Sequence, residues 1–247
     1  VSIRPGWFYH PEEDNRVKTV DQLTDLYYRS VGHNGTLLLN FPVDRNGLIH
    51  PTDSLNAVTF HQRVQKELAD NLLSKAKVSA SDERGGQFNV RALTDGQYDT
   101  YWATNDSVMA ADLTFTFEQP TKMNRVMIQE YIPLGQRVKS FVVKYKKGDQ
   151  WLSVKCNEET TTVGYKRLLR FETIETEQLR IRFTDARACL CINEAGAYYA
   201  PDATESYTSA TSELRSFPFT IVGVDEEEVK KCSDKDDQTT AFIPGKE

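Results

Sequence analysis

Hydrophobic positions change period once along this chain, near residue 75. Before that point they recur at helical spacing; after it they alternate. In residues 19–31, Val20, Leu23, Leu26 or Tyr27, and Val31 define one helix face. Thr19-Val20-Asp21-Gln22 supplies a capping box, with the hydroxyl on an orphan N–H and Gln22 reaching back. Gly32 and Asn34-Gly35 close this helix. Thr36–Asn40 is a short continuous apolar run, as for a strand buried on both faces of a parallel sheet. A loop follows at Phe41–Gly47. Asp53 is then expected to cap a long helix to about Leu73, with Leu55, Val58, Val64, Leu68 and Leu72 inward. This is a pair of β/α units, too few to close a barrel or cover a sheet, so their partners are expected upstream. Val1–Ile3 reads as the end of a further buried strand, running into the Pro5-Gly6 turn and on into Trp7, Phe8, Tyr9 and His10.

Beyond the boundary, placed in Ser74–Lys77, the period is two. Leu113, Phe115 and Phe117 alternate with Asp112, Thr114 and Thr116. Leu179, Ile181 and Phe183 alternate with Arg180 and Arg182. Similar runs lie at Val126–Tyr131, Val138–Tyr145 and Arg167–Phe171. Short strands parted by Gly, Asn and Asp turns, without helices between, predict an antiparallel β-sandwich over residues 75–200. Residues 201–247 open on a Ser/Thr-rich linker and contain a strand-like run at Phe217–Val222. They read as the truncated start of a further β domain, or as an extension packed on the sandwich. The fold class is therefore multidomain: 1–74 a partial (β/α) barrel remnant, 75–200 a β-sandwich, 201–247 a C-terminal β segment.

Charge removes one class of function. The 247 residues carry a net charge of −6, and nucleic acid requires a basic footprint. Acidic runs at Val224–Glu228 and Asp234–Asp237 read as solvated surface. No apolar run approaches the roughly 18 residues that a membrane span needs. The four cysteines make no disulfide framework and no zinc spacing. Cys189 and Cys191 are two apart on a predicted strand, so they share a face and do not easily pair with each other. Buried free thiols are expected.

Candidate chemistry lies where α/β folds place it, in loops after strand ends. Arg4, Trp7, Tyr9 and His10 follow the first strand; Asn40, Asp44 and Arg45 follow the second. Flat Trp and Tyr faces suit a sugar ring, and Arg, His and Asn suit its hydroxyls. The alternatives are core packing for Trp7 and Phe8 and a structural ion pair for Arg4.

Three spaced motifs give these residues a context: Val1-Ser2-Ile3-Arg4-Pro5-Gly6-Trp7-Phe8-Tyr9-His10, Asp25–Gly32, and Asn34–Ile49. Together they resemble the C-terminal part of the catalytic barrel of family 29 glycoside hydrolases, which are α-L-fucosidases. The Ser2–Trp7 form resembles the subgroup selective for branched α-1,3/1,4-linked fucose. The resemblance implies a retaining mechanism, with two carboxyl groups about 5–5.5 Å apart. It also implies that both, the Asp nucleophile and the acid/base Glu, lie upstream of Val1. Glu12, Glu13 and Asp14 read as a solvated loop, not as substitutes. The chain by itself is thus expected not to hydrolyse fucosides. Arg4, Trp7 and His10 are the expected substrate-binding residues, fucosylated glycans and the upstream barrel portion the expected partners. Asn40 is expected to support the last barrel strand.

Residues 75–200 resemble the coagulation factor V/VIII type C, or discoidin, domain, a jelly roll shared with many carbohydrate-binding modules. The matching residues are Ala92–Gly96, Asp99–Thr104, Gly135–Val143, Gly148–Trp151, Leu179–Phe183 and Ile192–Glu194. Asp95, Asp99, Thr100 and Glu194 supply hard oxygens near the Gly96 turn, which suits calcium. The resemblance implies a structural Ca2+ site there, and no cofactor for catalysis. The alternative is a metal-free turn held by hydrogen bonds. Trp102 reads as core, Trp151 less clearly so, and Arg137 as structural. Tyr131, Arg187 and Tyr198 are diffuse candidates for sugar contact. Fucosidases with such modules commonly act outside the cytoplasm, which suggests a periplasmic or secreted protein.

Overall fold

The computed structural model describes residues 1–200. The linker and strand expected between 201 and 247 lie outside the described residues. No helix among the described residues is long and apolar enough to cross a membrane.

The first helix, α1, spans Val20–Ser30 and has the expected capping box. Thr19 Oγ1 accepts from the Gln22 amide at 3.3 Å, and Gln22 Oε1 accepts from the Thr19 amide at 3.0 Å. Gly32 ends it where backbone meets sandwich. A Cβ there would stand 2.5 Å from the Tyr28 carbonyl oxygen and 2.9 Å from the Leu168 side chain, so only glycine fits.

The second helix, α2, spans Pro51–Glu67 and departs from expectation at both ends. Its N-cap is His50, whose Nδ1 accepts the Thr52 amide at 3.3 Å, with Pro51 in the first helical position. Asp53 is not the cap. It lies in the first turn, fully buried against Arg4. The helix stops at Glu67 rather than near Leu73, because Asn71 takes over the chain. Asn71 Oδ1 accepts the Leu73 and Ala197 amides, and its Nδ2 donates to the Ala195 carbonyl at 3.0 Å. Leu73 then enters the sandwich core. The buried residues of α2 are Asp53 and Glu67. Leu55 and Val58, expected inward, are 53% and 39% exposed.

Thr36–Asn40 is extended but not covered on both faces. Its described pairing is one parallel bridge, Asn40 to Ser2, with the Ile3 amide on the Asn40 carbonyl and the Asn40 amide on the Val1 carbonyl. Leu38 is 74% exposed, since no described residue lies against that side.

The sandwich has seven strands: β1 Lys77–Ala80, β2 Trp102–Ala103, β3 Ala111–Glu130, β4 Val138–Lys147, β5 Gln150–Ser153, β6 Arg167–Ala186 and β7 Cys191–Tyr198. Hydrogen bonding runs β2-β7-β3-β6-β4-β5, with β1 also on β3, and all pairs are antiparallel. The 20-residue strands β3 and β6 form one long ribbon. Its first half, with Leu113, Phe115, Ile181 and Phe183, is flanked by β1 and β4. Its second half, with Val126 and Leu169, is flanked by β7. Register shifts between Thr116 and Thr121 and between Met123 and Arg125 mark the passage from one layer to the other. Side chains from both halves share one apolar core with Trp102. Trp102 is fully buried, as expected, and its indole N–H has no hydrogen-bond partner among the described residues. Trp151, on β5, is half-buried under the Arg180 guanidinium, 3.9 Å from the ring centroid.

The helical segment is fastened to the sandwich. Tyr28 packs with Met127, Leu168 and Tyr198. Its hydroxyl donates to Glu67 at 2.8 Å and accepts from Arg125 at 3.0 Å. Arg170 donates to Asp25, and the Leu168 amide donates to the Gly32 carbonyl. Burial, then the Glu67 charge, pushes the Tyr28 hydroxyl far above its ordinary range.

Candidate functional site

Two places gather the residues singled out in the sequence. The first is the turn after Ile3. Arg4 is fully buried and its guanidinium is shared between two carboxylates. Nε and Nη2 hold Asp53 at 2.7 and 2.9 Å, a bidentate pair, and Nη1 holds Asp14 at 2.8 Å. The Tyr9 ring lies 4.6 Å from the guanidinium carbon, and the Tyr9 hydroxyl points to Asp14. Asp53 raises the Arg4 pKa, and the Arg4 hydrogen bond holds Asp14 below the usual carboxylate range. Asp14 is therefore not the solvated loop charge that its neighbours suggested. Glu13 is also engaged, accepting the Gly6 amide at 3.3 Å. Asn40 Nδ2 donates to the Trp7 carbonyl at 2.8 Å and to Ser2 Oγ at 3.2 Å, which fixes the turn to the neighbouring extended segment.

Around this ionic centre the rim is open. Trp7 and Phe8 are 53% and 74% exposed, and the His10 imidazole is also exposed. Arg4 is thus committed to its carboxylates, while Trp7 and His10 present an indole face and a ring nitrogen to solvent. Asp53 has no path to a substrate, so Asp53 and Asp14 do not form a catalytic pair.

The second place is the loop end of the sandwich. Asp95 follows a short 3-10 turn, Val90–Thr94. Its Oδ1 accepts the Gln97 amide at 2.8 Å and its Oδ2 accepts the Thr100 hydroxyl at 2.7 Å. Gly96 has φ +70, the left-handed conformation this turn requires. Glu194, on β7, accepts from Gln129 Nε2 at 2.6 Å. Burial raises its pKa, Lys166 and Gln129 oppose the rise, and Asp95 adds to it. Asp95, Thr100 and Glu194 thus share one electrostatic neighbourhood, while Asp99 lines an adjoining cavity. The donors are hard oxygens of the kind calcium takes. Among the described residues no three His, Cys, Asp or Glu side chains form a metal-holding group. A cation here would need hydroxyl and backbone oxygens of the turn as well.

The adjoining cavity, about 280 Å³, is lined by Gln87, Phe88, Asp99, Thr100, Tyr101 and Tyr131. Tyr101 and Tyr131 stack at 4.3 Å, and Phe88 sits 5.0 Å from Tyr101. Tyr98 and Tyr165 extend the cluster outward and are about half exposed. Of these five rings the sequence singled out Tyr131 alone. Arg187 is exposed, its amide on the Arg137 carbonyl. Tyr198 is buried, with its hydroxyl on Met127 Sδ, and so offers nothing to a sugar. Beneath the loops, buried Glu130 accepts the Arg137, Val138 and Gly164 amides at 2.6–2.8 Å, which ties two loops together.

Known proteins match this chain. The F5/8 type C domain model matches residues 77–194. The α-L-fucosidase 1 of Arabidopsis thaliana is 36% identical over 204 residues, 80% of this chain and 39% of the relative. The chain is homologous to the α-L-fucosidases of glycoside hydrolase family 29. Among solved structures, a Bacteroides thetaiotaomicron protein provisionally assigned as an α-L-fucosidase is 40% identical with a TM-score of 0.79, covering 82% of this chain and 44% of that one. A Ruminococcus gnavus GH29 fucosidase in complex with fucose is 32% identical with a TM-score of 0.75, covering 81% and 40%. The chain spans about two fifths of the length of the curated fucosidases it matches. The match extends beyond the sandwich, since 80% of the chain exceeds what the sandwich alone could supply.

Proposed function

We propose that this chain is part of a retaining exo-α-L-fucosidase that removes terminal α-linked L-fucose from branched glycans. Identity of 35–36% to α-L-fucosidases over 80% of the chain carries the reading. Residues 1–74 then represent the last β/α units of the catalytic barrel, in keeping with the parallel Ser2–Asn40 bridge. In this reading Arg4, pinned by Asp53 and Asp14, fixes the turn that carries Trp7 and His10 to the sugar rim. The attacking carboxylate and the proton donor belong to sequence upstream of Val1. The test uses an aryl α-L-fucoside. The chain alone is expected to leave it intact. A chimera in which this chain replaces the matching region of the Arabidopsis enzyme is expected to hydrolyse it. Turnover by the chain alone, or a folded but inactive chimera, would contradict the proposal.

A non-catalytic second role for the sandwich is favoured by one observation, the cavity under Phe88, Tyr101 and Tyr131. Stacked rings at a loop end offer apolar faces to a pyranose. Asp95, Asp99, Thr100 and Glu194 are proposed to hold a structural Ca2+ that braces the same loops. Its support is the Glu194 carboxyl, lifted by burial and by Asp95, a penalty that a cation would relieve. Calorimetry with fucosylated oligosaccharides, with and without Tyr101→Ala, tests the first. Thermal unfolding with and without a chelator tests the second, and an unchanged melting temperature at millimolar calcium would end it.

A further inference from the structure

Cys189 and Cys191 do not lie on one strand, as their spacing suggested. β7 begins at Cys191, and Cys189 belongs to the loop before it. The fixed separation of same-face strand neighbours therefore does not govern the pair. Both thiols are free in this structure. They nevertheless meet at one atom: Arg137 Nη1 donates to Cys189 Sγ at 2.9 Å and to Cys191 Sγ at 3.3 Å, as well as to the Cys189 carbonyl at 2.9 Å. Arg84 Nη2 reaches Cys189 Sγ from another direction at 3.5 Å. Arg84 also pairs with the exposed Asp106, and no Arg137 ion pair occurs among the described residues. The two sulfurs pack under Phe88, Tyr101 and Tyr131, and Cys189 is the more exposed, at 8% against 3%.

We propose that Cys189 and Cys191 are a reactive dithiol that closes to an intrachain disulfide by exchange with a low-molecular-weight disulfide. Such exchange proceeds through an attacking thiolate, and Cys189 Sγ is the sulfur flanked by two guanidiniums, 2.9 Å from Arg137 and 3.5 Å from Arg84. That thiolate attacks one sulfur of the small disulfide, whose other sulfur leaves as thiolate. A mixed disulfide remains at Cys189. Cys191 then loses its proton to the released thiolate and attacks Cys189 Sγ, expelling the second small thiol. The small disulfide is reduced by two electrons to two thiols, and the protein dithiol is oxidised by the same two. Burial pushes the Cys191 thiol up to about 11, against the pull of Arg137 and with a further rise from Cys189. This fits a pair in which Cys189 reacts first and Cys191 resolves. Closure takes Cys189 Sγ from Arg137 and Arg84 and leaves Arg137 Nη1 the Cys189 carbonyl. Cys156 serves as an internal control, half-buried and pushed up to about 11 by burial and Glu158, with no guanidinium on its sulfur among the described contacts.

The whole chain is exposed to oxidised and reduced glutathione at graded ratios, quenched in acid, denatured, alkylated with a maleimide and digested with trypsin. Both cysteines fall in one tryptic peptide, Ala188–Arg215, and Cys156 falls in another. The expected product is Ala188–Arg215 without maleimide or glutathione and lighter by two hydrogens. It should form at least about tenfold faster than Cys156 is glutathionylated, because its second step is intramolecular. Cys191→Ser should stop the reaction at a glutathione adduct on Cys189. Maleimide on both cysteines at ratios that already modify Cys156, stable glutathione on either one in the native sequence, or a bond from either to Cys156 or Cys232 would each overturn the proposal. None of these readouts depends on fucoside hydrolysis, so the fucosidase reading and this one fail separately.

Discussion

The helical segment and the sandwich solve the same burial problem in opposite ways. The sandwich turns its apolar residues inward from both halves of one long ribbon, and among the described residues it buries charge at strand ends alone, in Glu130 and Arg167. The segment of residues 1–74 encloses charge instead. Arg4, Asp53 and Glu67 are its buried ionic groups, while Leu38, Leu55 and Val58 face outward. A layer that closes on itself reads plainly from alternation, because each side chain's face is set by its own strand. A layer whose apolar face has no described neighbour cannot be read that way. Its inner contacts are set by ion pairs between distant residues.

The largest effects should come from breaking each kind of interior. Arg4→Ala leaves Asp53 buried without a counter-charge, at a cost of about 3–5 kcal/mol. Phe115→Ala opens a cavity between the layers at a similar cost, about 3–5 kcal/mol. The two losses should fall in different places. In hydrogen exchange, Arg4→Ala should release the amides of residues 1–50 and leave β3 and β6 protected, whereas Phe115→Ala should lower protection throughout the sandwich. Equal loss in both regions from Arg4→Ala would show that they unfold as one unit.

Asn71 joins the two. It caps the turn after α2 and makes two hydrogen bonds to β7. Asn71→Ala should cost about 1–3 kcal/mol through the lost cap and unpaired β7 groups. Chemical denaturation should show the loss with the sandwich core intact.

How much of this was legible depends on how local the cause is. The Thr19 capping box, buried Trp102 and the alternation at Leu113–Phe117 and Leu179–Phe183 follow from neighbours a few residues away, and each stands as read. At Val126–Ile128 and Arg167–Leu169 consecutive residues are buried instead, because the helical segment packs on Met127 and Leu168 from the other face. The His50 cap had a signal, Pro51 in the first helical position, but Asp53 was the more familiar capping residue. The Arg4–Asp53 pair spans 49 residues, so no spacing rule reaches it. The aromatic cavity draws Phe88, Tyr98, Tyr101, Tyr131 and Tyr165 from separate loops, and nothing in the sequence marks their convergence. Cys189 and Cys191 were misplaced because alternation was extended two residues too far.

A smaller effect tests the seam itself. The Arg167 guanidinium is fully buried and has no carboxylate within ion-pair distance among the described residues; it donates to His33 Nδ1, to the Thr162 carbonyl and to threonine hydroxyls. The bond to His33 needs a neutral imidazole. Burial, then the Arg167 charge, lowers the His33 pKa from its ordinary 6.5. Between the lowered folded value and about 6.5 the unfolded chain binds more protons, so stability falls as pH falls through that window and is complete above it. His33 is exposed, which screens the effect and keeps it below that of Asn71→Ala. The melting temperature should decline with acidification in the native chain and decline less in His33→Gln.

The smallest effect bears most directly on the contrast. Leu55 belongs to the apolar set of α2, and helical spacing alone assigns it to an interior. In this chain its side chain is half in water. Leu55→Ser should therefore change stability by less than about 0.5 kcal/mol, the range of ordinary surface substitutions. In the chimera with the Arabidopsis enzyme, a barrel packed on α2 would bury the same side chain. The substitution should then cost about 2–5 kcal/mol, as for a core leucine. Equal costs in both settings would mean that Leu55 is surface in the assembled enzyme too. The outward apolar face of residues 1–74 would then be no imprint of a missing neighbour.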